Sequence, residues 1–377
     1  MPSMTASKSN LRDKVSELLS IADIRLDGDR PWDIQVYNDD FFRRVLSQGS
    51  IGLGESYMDG WWDAQQLDEF FSRLLGAQLD QYADVKNWGL EILKSRLFNF
   101  QSVNKAYKNS QHHYDIGNDI YRYMLDDRMI YSCGYWRDAG DLNQAQENKL
   151  DLACRKLNLK KGDRLLDVGC GWGGTAKFAA QNYGSDVVGV TVSKDQVEKG
   201  KKANEGLPVD IRFQDFRSLS EKFDKIVSIG MFEHVGYKNY RTFFEKVREN
   251  LKEDGLFLLH TIGGNRSVSS IDPWIGKYIF PNAMLPSIKQ IGEASDGLFV
   301  MEDWHNFGPY YDNTLMSWFE NFNNNWDELK DNYSDRFYRM WKYYLLACAG
   351  SFRARKNQLW QIVFSPKGIK GGYKVIT

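Results

Sequence analysis

The sequence predicts an α/β protein: a parallel sheet covered by helices on both faces, joined to a smaller amino-terminal domain that is mostly helical or α+β. Two observations carry this expectation. Short apolar runs rich in β-branched residues recur between Asp163 and Gly264, each ending in Gly or a polar residue, with segments able to hold crossover helices between them. Before about residue 100 the rhythm differs, because apolar residues fall at helical spacing and Gly-rich turns interrupt them.

In chain order, "LRDKVSELLSIA", "DDFFRRVLSQG" and "LDEFFSRLLGAQ" read as helices and "GSIGLGESYMDG" as a Gly-rich turn, which makes 1–100 a first domain. The polar stretch "QSVNKAYKNSQ" at 101–111 reads as a linker, and 112–377 as the larger domain. Within it "DRLLDV", "SDVVGVT", "VDIRF", "FDKIVSI" and "DGLFLLH" are strands in that order. "TAKFAAQNYG", "KDQVEKGKKANEG" and "YRTFFEKVRENLKEDG" are their connecting helices. A ligand of such a sheet sits beyond the carboxyl ends of its strands.

The charges balance, 49 Lys and Arg against 50 Asp and Glu, so no global basic field draws the chain to nucleic acid or anionic lipid, and any membrane contact is local. The four cysteines, Cys133, Cys154, Cys170 and Cys348, form no CxxC pair, which argues against structural zinc and a disulfide framework and for a reducing cytoplasm. The amino terminus has no apolar signal core, and no run approaches the roughly 18 apolar residues of a membrane span. The expectation is a cytoplasmic protein, soluble or at most peripheral to a membrane. Aromatic residues, at 14%, exceed the needs of an ordinary core and call for a use.

After the first strand, "DVGCGWGG" sets Asp167 ahead of Gly169, Gly171, Gly173 and Gly174. Alternating glycines allow a tight turn and close approach of a ligand to the backbone, although a bare strand-to-helix turn needs them as well. With no GK[ST] ending this is not a P-loop, and GxGxG after an acid differs from the dinucleotide GxGxxG. The pattern looks like the S-adenosylmethionine loop of Rossmann-like methyltransferases, with Thr191 where those enzymes usually carry an acid for the ribose.

Taken together, "HYDIGND" (113–119), "YSCGYW" (131–136), "LDVGCGWGG" (166–174), "GVTVSKDQ" (189–196), "SIGMFEHVG" (228–236), "LLHTIG" (258–263), "DPWIGKYIFPN" (272–282), "EDWHNFG" (302–308) and "ACAGSFRAR" (347–355) closely resemble the cyclopropane fatty acid synthase family. "GLGESYMDGWW" at 52–62 extends the likeness into the first domain. The resemblance implies a Rossmann-like methyltransferase sheet, mostly parallel with one antiparallel strand. It also implies S-adenosylmethionine as cofactor and transfer of a methylene group to the cis double bond of an acyl chain. The amino-terminal domain, which the shorter mycolic acid enzymes lack, points to acyl chains of a phospholipid bilayer, and the family implies a homodimer. Cofactor contacts are implied at Tyr131 and Ser132, and at Asp167, Gly169, Cys170, Gly171 and Gly173. The resemblance also implies that Thr191 and Gln196 stand in for the ribose acid, that Val192 is a further cofactor contact, and that Asp215 and Phe216 lie near the adenine.

An isolated alkene is a poor nucleophile with no proton to lose first, so such chemistry rests on position, dryness and stabilisation of the positive charge that follows. Aromatic faces attract a cation by about 0.5–2 kcal/mol without capturing it. Tyr131, Tyr135, Trp136, Tyr278 and Tyr311 are candidates for that lining, although for any single one of them core packing is the stronger reading. The family removes the last proton with bound bicarbonate, which implies ligands at Cys133, Glu233, His260, Tyr311 and the Ile262 backbone. In that scheme Glu233 accepts the ion's hydroxyl proton while His260 and Tyr311 donate to its oxygens.

On the residues alone, Glu233 could be an exposed loop acid and His260 a satisfied core histidine. Their positions, after the fourth strand and at the end of the fifth, share the sheet edge with the glycine loop. His234 and Cys348 read as structural. Segment 268–292, with Trp274, Tyr278, Ile279, Phe280, Met284 and Leu285, reads either as an apolar entrance or as a packed lid. Lys199, Lys201, Lys202, Arg353, Arg355 and Lys356 read as phosphate contacts or a solvated face. Two rival functions stand beside the first: a methyltransferase that leaves a branch or methylene, and a non-enzymatic lipid-binding protein on the same scaffold.

Overall fold

The computed structural model describes residues 8–78 and 117–377. The expected linker at 101–111, the boundary near residue 100 and most of "HYDIGND" lie outside the described residues. The chain opens with α1 (Lys8–Ile21), β1 (Gln35–Val36), α2 (Asp40–Gln48), α3 (Ser50–Met58), β2 (Trp62–Asp63) and α4 (Leu67–Gly76). The three expected helices are α1, α2 and α4. The expected turn "GSIGLGESYMDG" is instead the helix α3, and its glycines serve packing. A Cβ on Gly52 would lie 2.3 Å from the Arg44 carbonyl oxygen, and one on Gly54 would lie 2.3 Å from Trp274 Cδ1.

After α5 (Asn118–Met124) and α6 (Leu142–Lys156) the strands and helices alternate. They run β3 (Arg164–Val168), α7 (Gly174–Tyr183), β4 (Asp186–Thr191), α8 (Lys194–Ala203), β5 (Val209–Phe213), β6 (Phe223–Ile229), α9 (Tyr240–Asn250) and β7 (Leu251–Gly264). The chain closes with α10 (Pro273–Tyr278), α11 (Ile288–Ser295), β8 (Val300–Asn306), α12 (Pro309–Asn324), α13 (Trp326–Leu329), α14 (Asp335–Arg353) and β9 (Asn357–Ser365).

The seven-stranded sheet has the order β5-β4-β3-β6-β7-β9-β8. β3 to β7 are mutually parallel, and β9 runs antiparallel to both β7 and β8. The five expected strands are β3 to β7, and β9 is the one antiparallel strand. His260 is not at the end of its strand as expected, because β9 pairs with β7 as far as Gly264 and prolongs it.

Valine, leucine and isoleucine of β3, β4 and β6 fill separate clusters on the two sheet faces. A third cluster joins the amino-terminal helices to α12 and α14, with Trp62, Phe70 and Phe71 in one body with Trp318, Trp341 and Tyr343. Polar contacts fix the same seam. Arg339 donates to the Tyr57 carbonyl at 2.6 Å and pairs with Asp63 at 2.9 Å, while Arg353 is held by Asp68 and Asp312 at 2.7 and 2.9 Å. Among the described residues no helix is long and apolar enough to cross a membrane. All four cysteines are free.

Candidate active site

The strand order reverses between β3 and β6, where loops leave the sheet in opposite directions and open a crevice. There Gly169, Gly171 and Gly173 have φ of 84°, 55° and 81°, a region that strains residues bearing a Cβ. A side chain at Gly169 would strike Met231 Cγ at 2.5 Å, whereas Gly171 meets nothing nearer than the Gln196 amide nitrogen at 3.9 Å. Cys170, buried between them, packs against Gly189, whose added Cβ would lie 2.9 Å from its Sγ.

Thr191 ends β4 and donates to Gln196 Oε1 at 2.6 Å, while Ser193 caps α8 by accepting from the Gln196 amide, so Gln196 is fixed beside the loop. Val192 lies half-buried between them. After β5, Asp215 accepts from the Arg217 guanidinium at 2.7 and 2.8 Å and from its backbone N–H at 2.9 Å. That turn holds Phe216 half-buried, edge-on to Phe243 at 5.3 Å. Asp167 is buried and its Oδ2 has no partner; burial pushes its pKa up to about 7. Open space over Gly171 and an unpartnered carboxylate oxygen fit a ligand that lies on the backbone and offers a cation, as S-adenosylmethionine does.

The other side of the crevice is built from buried side chains. Glu233 sits in a single 3₁₀ turn after β6, and its Oε1 accepts the Ile262 N–H at 2.7 Å while Oε2 has no partner. Burial pushes its pKa up to about 7. The Ile262 amide is therefore engaged by Glu233. His260 lies opposite Ile229 in β6 and Gln361 in β9, and Gln361 Nε2 is 3.4 Å from its Nδ1. With that amide nitrogen donating, the ring carries its proton on Nε2, which has no partner. Burial, with Lys149 and Lys156 nearby, drives its pKa well below the ordinary value, so the ring is neutral.

Cys133 is fully buried, and its thiol donates to the Gly134 carbonyl at 3.1 Å. Burial raises the thiol pKa far above neutrality, so no thiolate is present. Tyr311, also buried, stacks on Phe352 at 4.6 Å, and its phenol is held neutral by burial and by the neighbouring Cys133 and Glu233. The unpartnered Glu233 oxygen and His260 N–H, next to a neutral thiol and phenol, fit a small oxyanion that carries one proton.

An aromatic wall flanks these groups. The Tyr131 hydroxyl is 2.6 Å from that of Tyr344, and its ring packs on Tyr121 and Trp318, both at 5.1 Å, and on Phe280 at 6.4 Å. Tyr311 meets Trp318 at 6.0 Å. Of the other expected lining residues, Tyr135 packs at 5.3 Å on Phe307, which itself meets His260 at 5.8 Å, Trp136 donates at 2.9 Å to Thr314, the neighbour of Cys133, and Tyr278 donates to Glu55 of the amino-terminal helices at 2.8 Å. In segment 268–292, Trp274, Ile279 and Met284 are buried, as in a packed lid. Sequence reasoning missed Lys149, Thr314, Trp318 and Gln361. The available signal for Lys149 was its place on the α6 stripe that buries Ala145, Leu152 and Ala153.

A mostly parallel sheet with one antiparallel strand and a glycine cradle at its point of reversal binds its ligand at that edge, and its likeness to solved cyclopropane synthases, one of them complexed with SAH, makes it an S-adenosylmethionine-dependent methyltransferase. Residues 101–362 match the family model of mycolic acid cyclopropane synthetase. The chain is 55% identical over 361 residues to the cyclopropane-fatty-acyl-phospholipid synthase of Escherichia coli (strain K12), covering 96% of this chain and 94% of that one. It is 39% identical over 266 residues to a probable fatty acid methyltransferase of Pseudomonas putida, 67% of each. The solved structure of the cyclopropane synthase MmaA2 from Mycobacterium tuberculosis matches with a TM-score of 0.65 at 32% identity, over 68% of this chain and 97% of that one. The mycolic acid cyclopropane synthase CmaA1, complexed with SAH and CTAB, matches at 0.64 and 35%, with the same coverage. The chain belongs to the mycolic acid cyclopropane synthetase family, and is an enzyme of it.

Proposed function

We propose that the chain forms a cyclopropane ring across the cis double bond of an unsaturated acyl chain in membrane phospholipid, with S-adenosylmethionine as donor and bound bicarbonate as base. The observation that carries this reading is a pair of buried, unpartnered atoms, Glu233 Oε2 and His260 Nε2, on a carboxylate and a strand tied together through the Ile262 N–H, with Tyr311 as a neighbour of both Glu233 and an un-ionised Cys133. The full-length likeness to the E. coli enzyme favours phospholipid. S-adenosylmethionine supplies an electrophilic methyl group when bound, and Tyr131, Ser132, the loop from Asp167 to Gly173, Thr191, Val192, Gln196, Asp215 and Phe216 would hold it. Bicarbonate, which Cys133, Glu233, His260 and Tyr311 would hold while the Ile262 N–H acts indirectly by holding Glu233, would supply a base for the newly added methyl group.

The protein's own part is electrostatic. Glu233, with its pKa near 7, is a stronger base than bicarbonate, so it would take the hydroxyl proton as the ion captures the methyl proton and becomes carbonic acid, and the Ile262 N–H fixes the carboxylate's direction. Neutral His260 donates through Nε2 without adding a charge that would repel a neighbouring cation. Tyr131 and Trp318 offer ring faces to positive charge, and the un-ionised Cys133 does not capture it. We further read the enzyme as a cytoplasmic homodimer at the membrane surface, with 1–100 as its docking or dimer domain.

Gas chromatography of acyl esters after incubation with unsaturated phospholipid vesicles and S-adenosylmethionine tests the product. A ring is expected; only branched or methylene chains, or no product, overturns the reading. Turnover should fail in carbon dioxide-depleted buffer and return with added bicarbonate, and indifference to bicarbonate removes the ion from the scheme.

A further inference from the structure

Among the described residues, a fully buried lysine stands without an ion pair. Lys149 is completely buried in α6, and its Nζ donates to Ser132 Oγ at 2.9 Å. Its neighbour on the same stripe, Lys156, pairs with Asp303 at 2.9 Å, but among the described residues Lys149 makes no ion pair. The carboxylates of Asp126 and Asp167 act on it only through space, and Asp126 is already committed to the N–H groups of Arg128 and Ile130 at 3.0 and 2.8 Å. A buried ammonium without an anion costs several kcal/mol, so an anion supplied by a ligand is the simplest compensation.

The bond to Lys149 also fixes the behaviour of Ser132. An ammonium only donates, so Ser132 Oγ must accept, and the serine proton is left for a second acceptor. Ser132 lies against the carboxyl edge of β6, its Cβ 3.8 Å from where a Cβ on Gly230 would be. Asp167, in the strand β3 that pairs with β6, has an unpartnered Oδ2 at the same crevice. The crevice thus has one pole suited to a carboxylate and one suited to an ammonium.

We propose that Lys149 is a positioning residue that makes Ser132 an obligate donor to the carboxylate of the cofactor's amino-acid end, with Asp167 receiving its ammonium, so that this pair of poles selects a zwitterionic amino-acid group. The proposal rests on the glycine loop being the cofactor site, and is independent of bicarbonate.

Isothermal titration in bicarbonate-free buffer tests it with two probes: S-adenosylhomocysteine, and 5′-methylthioadenosine, which keeps the adenosine and sulfur but lacks the amino acid. Lys149→Met, which retains length and apolar volume, should weaken S-adenosylhomocysteine about 10- to 100-fold and leave 5′-methylthioadenosine within about twofold. Ser132→Ala should show the same selectivity, and the double variant should lose little more than Lys149→Met alone. Equal losses for both probes, unchanged affinity for S-adenosylhomocysteine, or additive losses overturn the proposal. If Lys149→Met does not fold, the selectivity of Ser132→Ala decides alone. Wild-type protein that binds neither probe would refute the cofactor site itself. A variant whose only defect is a raised bicarbonate requirement in the vesicle assay would assign the charge to the ion and overturn the proposal.

Discussion

The two sides of the crevice are built by opposite means. The cofactor side is shaped mainly by leaving side chains out, with three glycines at positive φ and open space over Gly171, and carries one buried unpartnered oxygen, Asp167 Oδ2. The opposite side is made by burying polar atoms and withholding their partners, at Glu233 Oε2 and His260 Nε2. A backbone cradle gives shape at little electrostatic cost, whereas unpartnered buried groups store a demand that an ion can meet. Binding and chemistry should therefore separate by mutation.

The largest expected effect is on chemistry alone. Glu233→Gln preserves shape and the acceptor for the Ile262 N–H, so turnover should fall about 10³-fold while affinity for S-adenosylhomocysteine stays within about threefold. Equal losses in the vesicle assay and in titration would break the distinction between the two sides.

Next comes the cost of holding that carboxyl buried. The Glu233 pKa rises from its ordinary 4.5 to about 7 on folding. The folded state thus holds this proton more tightly than the unfolded chain, and the associated stability is present below pH 4.5 and lost as pH rises through 7. Glutamine does not titrate. In ligand-free protein the stability of Glu233→Gln relative to wild type should therefore rise by about 3 kcal/mol between pH 4.5 and 8. Denaturant unfolding at the two ends of that window measures the difference, and a flat difference would show that Glu233 is not held in a desolvated state.

A smaller effect belongs to the cofactor side. Gly171→Ala meets no neighbour within 3.9 Å, so its cost in the ligand-free fold is only the strain of φ 55°, about 1 kcal/mol. Its methyl group fills the cradle, and affinity for S-adenosylhomocysteine should drop about tenfold with turnover at saturation nearly unchanged. A loss of turnover at saturation would mean that the loop also sets the position of the reacting groups.

These contrasts also explain what the amino-acid sequence could disclose. Strands β3 to β7 and the glycine loop were legible because they depend on local pattern: β-branched runs, and glycine where φ is positive. The helix α3 was misread as a turn because Gly52 and Gly54 answer to Arg44 and Trp274, partners remote in sequence. The extension of β7 past His260 depends on pairing with β9, some hundred residues later. Lys149 was passed over because a lysine on a helix is ordinarily solvated, and only its alignment with Ala145, Leu152 and Ala153 hinted at burial. Glu233 and His260 could be placed at the correct edge, but their unpartnered atoms emerge only from the packing around them.

The smallest expected effect falls on Cys133, where the distinction between holding and reacting is sharpest. Its thiol is buried and un-ionised, donating to the Gly134 carbonyl at 3.1 Å, with the Thr314 hydroxyl at 3.8 Å. That hydroxyl already accepts from Gly134 N–H and Trp136 Nε1 and donates to the Tyr310 carbonyl, so it does not activate the sulfur. A nucleophilic cysteine needs a thiolate and a base within reach, and the surroundings of Cys133 provide neither. Serine offers the same neutral donor in slightly less volume. Cys133→Ser should therefore keep S-adenosylhomocysteine affinity and lower turnover only about three- to tenfold, because its contribution is one hydrogen bond among several. If a folded Cys133→Ser protein with normal cofactor binding were wholly inactive, the sulfur would be taking part in bond making, and the side assigned to holding an ion would have to be redrawn around a covalent step.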